Sequence, residues 1–80
     1  MRKSIFSADQ KRLQALLRQV RVSAGLSQQD LAEHLGKPQS FVSKYEQGER
    51  RLDLLELRHI CLGIGVSLLE FVRRFEEGNR

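Results

Sequence analysis

Between Pro38 and Gln47 the sequence places Gln39, Ser40, Ser43, Lys44 and Gln47 at intervals that fall on one side of a helix. They are hydroxyls, amides and one cation, with no acid among them. Such groups can both donate and accept hydrogen bonds. Glutamine can engage adenine at N6 and N7, lysine can donate to guanine O6 and N7, and serine can pair with either. The ten residues Pro38–Gln47 would make a helix about 15 Å long, and the major groove of DNA is about 12 Å wide. The same residues would equally make an ordinary solvated face, and composition alone does not choose between the two.

Other chemistries find less support. His34 and His59 lie 25 residues apart, with Cys61 as the single cysteine and no acids clustered around them. A zinc site needs several ligands at suitable spacing, so no metal is expected. Cys61 reads as a small core residue. Gly63-Ile64-Gly65 is a bare Gly-x-Gly with no preceding strand, which excludes a nucleotide loop. The serines read mostly as helix caps. A short chain also leaves little room for a substrate pocket. No catalytic residue, cofactor or small-molecule substrate is expected.

Five helices must hold these residues in place, because no stretch alternates with period two. The first is predicted from about Ala8 to Ala24, with Ser7 as N-cap and Gln10 completing a capping box. Its stripe is Leu13, Leu16, Leu17, Val20 and Ala24, and Gly25 ends it. The second starts at Ser27, carries Asp30 in its first turn, buries Leu31, Ala32 and Leu35, and stops at Gly36. The third begins with Pro38 at its first helical position, is apolar at Phe41, Val42 and Tyr45, and ends at Gly48. The fourth has Asp53 as N-cap and Glu56 in a capping box, with Leu54, Leu57, Ile60, Cys61 and Ile64 facing inward. Gly63 inside it implies a close helix–helix approach. The fifth starts with Ser67 and Glu70 as another capping box, and Leu68, Leu69, Phe71, Val72 and Phe75 follow. Those five cover more than one narrow stripe. One side can cap the core, and the other is either left for a partner or covered by the first helix.

The 80 residues make one domain, 1–80. Its parts are a basic arm at 1–6, a helix-turn-helix at 27–47 and a C-terminal helix at 67–77. The formal net charge is +4, and residues 1–21 alone carry +5, leaving −1 for the remainder. A basic end favours a polyanion, nucleic acid before membrane, although it can also be plain surface charge. The lone thiol, the lack of an apolar leader and the lack of a spanning run point to the cytoplasm, with no membrane association.

The run from Arg21 through Gly25-Leu-Ser-Gln28, Leu31-Ala32 and Gly36, followed by Pro38-Gln-Ser-Phe-Val-Ser-Lys-Tyr-Glu-Gln-Gly48, resembles the Cro/repressor (XRE-like) helix-turn-helix family. The likeness covers about residues 10–75. It implies an all-α, five-helix, phage-repressor-like fold. It also implies a sequence-specific regulator of transcription, a repressor, that reads double-stranded DNA with helix 38–47. By the same resemblance Gln39, Ser40, Ser43 and Lys44 would face the bases. Gln28, Lys37, Arg50 and Arg51 would meet phosphates. Arg21 and Glu46 would form an ion pair beneath the reading helix. Phe41 stands where relatives often carry a small polar residue. It either packs on the protein, the favoured reading, or touches a thymine methyl. Leu52 replaces a frequent proline. A homodimer joined through the C-terminal helix would read a near-palindromic operator. The alternative is a protein-interaction module of the same fold, such as an antitoxin-like partner.

Overall fold

A computed structural model describes residues 3–78, with side chains from Ala8 onward. Five helices follow one another: α1 (Lys3–Ser23), α2 (Gln28–Leu35), α3 (Gln39–Gln47), α4 (Leu54–Ile64) and α5 (Leu68–Glu77). No strand occurs among the described residues. No helix there is long and apolar enough to cross a membrane.

The N-terminal expectations need correction. α1 begins at Lys3, so Ser7 lies inside the helix and does not cap it. The segment Lys3–Phe6 belongs to α1, and of the expected arm only Met1 and Arg2 fall outside the described residues. The reason is local: no proline or glycine interrupts 3–7, and an interior serine costs a helix only a few tenths of a kcal/mol.

The later caps follow the sequence more closely. The Ser27 hydroxyl accepts the Asp30 N–H, and the Asp30 carboxylate accepts the Ser27 N–H. Asp53 and Glu56 repeat this exchange at the start of α4. At α5 only half the box forms. Ser67 accepts the Glu70 N–H, but the Glu70 carboxylate turns to Arg73 and Arg74. Pro38 is the N-cap of α3, one position before the helix, with extended backbone (φ −69°, ψ 155°). The turn leading to it demands that: Gly36 is left-handed at φ 67°, and the Lys37 N–H reaches back to the Ala32 carbonyl at 3.0 Å. α2 therefore closes just two residues before the proline.

The core is Leu17 and Val20 of α1, Leu31, Ala32 and Leu35 of α2, Val42 and Tyr45 of α3, Ile60 and Cys61 of α4, and Phe71 of α5. Leu54, expected to face inward, is 65% exposed at the first position of α4. Leu52 packs against the core from the loop that follows α3. α4 lies close on α2. A Cβ at Gly63 would stand 2.7 Å from Leu35 Cδ2 and 3.3 Å from Leu31 Cδ1. Two imidazoles stitch the same pair of helices: His34 Nδ1–H donates to the Gly63 carbonyl at 3.0 Å, and His59 Nε2–H to the Leu35 carbonyl at 3.3 Å. Arg12 ties the ends together. Its guanidinium lies 4.2 Å from the Phe75 ring centroid and donates to the Phe75 carbonyl.

Alanine at Gly63 gains about 1 kcal/mol of helix propensity but overpacks a buried contact, at about 1–3 kcal/mol. Gly63→Ala is expected to lower the melting temperature by about 5 °C, read by circular dichroism. An unchanged or raised value would show that α2 and α4 have slack there.

Candidate nucleic-acid interface

The site is built outward from a buried charge. Arg21 is 7% exposed at the end of α1, and the Glu46 side chain on α3 is 3% exposed. Arg21 Nε and Nη2 donate to the two carboxylate oxygens at 2.7 and 3.1 Å. Nη1 donates to the Leu26 carbonyl at 2.8 Å. Hydrogen bonding to Glu46 raises the Arg21 pKa further above its ordinary value. One side chain thus fixes three things: α1, the loop before α2, and the rotation of α3. The Arg21–Glu46 pairing anticipated from resemblance is present.

The polar chain continues to the surface. Glu46 can only accept, so Gln28 presents its amide nitrogen, at 3.0 Å. That orientation turns the Gln28 oxygen outward, where it accepts from Gln39 Nε2 at 2.6 Å. Gln39 keeps its amide oxygen and a second N–H. Gln39 is exposed, as are Ser40 and Lys44, whereas Ser43 is half-buried. Gln28 itself is half-buried, a bridge between an internal carboxylate and an external amide.

Arg50 is differently placed from an outstretched cation. Its guanidinium bonds both oxygens of Glu56, at 3.2 and 2.7 Å, donates to the Arg51 carbonyl, and lies 4.9 Å from the Phe41 ring centroid. These bonds, with the Asp53 N–H and the nearby Lys37 charge, hold the Glu56 carboxyl down at about 2. Phe41 meets Tyr45 edge to face at 5.5 Å and is half-buried, so part of the ring packs on the protein and part lines an open groove. Lys37 Nζ stands 5.4 Å from the same centroid. Lys37 and Arg51 are exposed. Sequence reasoning missed Glu56 as the partner of Arg50, since six residues across a loop carry no spacing signal. It also missed Gln14, whose amide crowds Gly48 at the end of α3.

Two outcomes follow from these pairings. Glu46→Ala leaves a buried cation and is expected to cost about 3–5 kcal/mol, while the double change Arg21→Met with Glu46→Leu recovers most of it; urea denaturation measures both. If the single variant costs under 1 kcal/mol, the pair is not an organising contact. For Glu56 the folded carboxyl sits below its ordinary 4.5. Its contribution is therefore complete above about pH 4.5 and disappears as pH falls toward 2. Glu70, also near 2, titrates in the same window. Thermal melts should show stability falling from pH 5 to pH 2, with a shallower fall in Glu56→Gln. Parallel pH profiles would remove the Arg50 clamp from consideration.

Comparison with known proteins places this geometry. Residues 17–71 match the helix-turn-helix family model. No curated protein is matched. Among solved structures, an XRE-family like protein from Pseudomonas syringae pv. tomato str. DC3000 is 42% identical, with 98% of this chain and 95% of that chain covered at a TM-score of 0.89. A mutant of the restriction-modification controller protein C.Esp1396I, bound to its highest affinity operator site, is 25% identical over 86% of this chain and 91% of that one, with a TM-score of 0.78. The C.Esp1396I tetramer in complex with its natural 35 base-pair operator shares the fold at 23% identity, over 86% and 91% of the two chains, with a TM-score of 0.80. By the match over most of its length and by its 42% identical relative, the chain belongs to the XRE-type helix-turn-helix family, whose members are DNA-binding regulators and not enzymes.

Proposed function

We propose that the chain is a sequence-specific regulator that lays α3 in the major groove of double-stranded DNA and represses by covering a promoter. One observation carries the reading: the Gln39 amide is exposed yet held by a chain of hydrogen bonds that ends in the buried Arg21–Glu46 pair. An amide oriented in advance loses little freedom on contact. Its remaining oxygen and N–H match adenine N6–H and N7. Ser40 and Lys44 extend the reading surface along α3, and Ser43 lies behind them. Lys37 and Arg51 supply charge for phosphates. Gln28 gives one amide N–H to Glu46 and accepts from Gln39 at its oxygen, and its second N–H is the group for a phosphate. Arg50 joins them by way of whatever charge Glu56 leaves unscreened.

A second copy of the chain is the partner that suits the apolar surface of α4 and α5. Leu69 is 82% exposed and Leu55 73%, with Leu62 and Val72 also open. A lone small domain rarely leaves such a group of side chains uncovered. Twofold pairing would set two α3 helices on half-sites about 34 Å apart, on a near-palindromic operator. The 25% identical controller mutant is bound to an operator, in keeping with this reading. The setting of such a regulator is the cytoplasm.

Binding-site selection from random duplex DNA followed by titration tests this. Gln39→Ala is expected to lose about 1–3 kcal/mol of discrimination at one base pair per half-site. Lys37→Ala should weaken operator and random DNA alike and reduce the salt slope by about one. Failure to recover any sequence, with binding indifferent to salt, would transfer the fold to a protein partner such as a toxin.

A further inference from the structure

Beside the amide row, the reading surface carries an open groove of about 280 Å³, lined by Lys37, Pro38, Ser40, Phe41, Lys44 and Arg50. Its make-up is unlike that of the amide row. Its apolar lining is the half-buried Phe41 ring and the proline ring, and its one hydroxyl is that of Ser40. Three cations complete the lining, and no carboxylate belongs to it. The Phe41 ring is also braced. Tyr45 meets the Phe41 ring edge to face at 5.5 Å, and Arg50 lies against it at 4.9 Å, itself clamped by both Glu56 oxygens.

A groove lined by two apolar rings and three cations fits an apolar projection carried on a polyanion. In the major groove that projection is the C5-methyl of a pyrimidine, adjacent to base-edge acceptors and flanked by phosphates. We propose that this groove receives the C5-methyl group of a pyrimidine, with Phe41 as the specificity-determining contact and Arg50 as the residue that positions its ring. The proposal rests on the DNA-reading function above and names a ligand group for the apolar part of that surface. Thymine carries the methyl, and 5-methylcytosine carries the same group at the same place.

The test uses the selected operator and the full chain, with affinity measured by fluorescence anisotropy. Each thymine is replaced in turn by deoxyuridine, which lacks only the methyl. At one position per half-site the wild-type protein should bind about fourfold more weakly, the effect of uncovering one methyl group. Phe41→Ala and Phe41→Ser, each checked for helical content and melting, should no longer distinguish thymine from deoxyuridine there. Because the central comparison changes the DNA and not the protein, it does not depend on either variant folding. A second arm places cytosine or 5-methylcytosine at the same position. A gain of similar size on methylation shows that the groove takes the methyl from either base, and no gain assigns it to thymine. The proposal is overturned if every deoxyuridine substitution is silent, if the half-site contains no thymine, or if folded Phe41 variants keep the full penalty. Selection that returns no operator would instead remove the DNA-reading function itself.

Discussion

The structure depends on a charge pair held almost entirely out of water. A guanidinium and a carboxylate taken from solvent each lose several kcal/mol of hydration, and their attraction alone does not reliably restore it. The Arg21–Glu46 contact is therefore weak evidence of stability and strong evidence of arrangement. A bidentate fork has one good geometry. Once Arg21 also holds the Leu26 carbonyl, α3 cannot rotate about its axis without separating a buried ion pair. Every exposed side chain of α3 inherits its direction from that constraint. The hydrogen bonds through Gln28 carry the same order outward, from a site fixed by desolvation to one in open solvent.

Helix boundaries were legible wherever they are set by chemistry within a few residues. Ser27, Asp53 and Ser67 cap as their types dictate, and Gly36 takes the left-handed conformation its position called for. The close approach at Gly63 was readable because glycine in a helix interior has a cost that packing must offset. The errors share a cause. Ser7 looks like a cap, yet nothing before it stops a helix. Leu54 fits an apolar stripe, yet it stands exposed at the first position of α4, where a stripe drawn by spacing overran the buried face.

The candidate site was legible only in part. The polar row on α3 was visible from periodicity, but its neighbours were not. The Arg21–Glu46 pair crosses 25 residues, and only resemblance to a family suggested it. Arg50 was counted among the phosphate contacts by resemblance, while the structure pairs it with Glu56 and sets it against the Phe41 ring. Gln28 was assigned outward and is found bridging inward as well. Such side-chain partners are chosen by tertiary packing, and no local pattern reports them.

The two imidazoles between α2 and α4 have a mechanical consequence. Each gives its N–H to a carbonyl in the last turn of the other's helix, and the leucines of α2 fill the space that Gly63 leaves open. Two crossed braces with a filled gap between them resist both sliding and twisting. α2 is joined to α3 by only three residues, Gly36, Lys37 and Pro38, and Leu55 and Leu62 of α4 are exposed. A body seated on those leucines is thus connected to α3 through rigid members with no hinge, and the distance between two such domains would be a property of the fold, much as the span of a caliper is set by its frame.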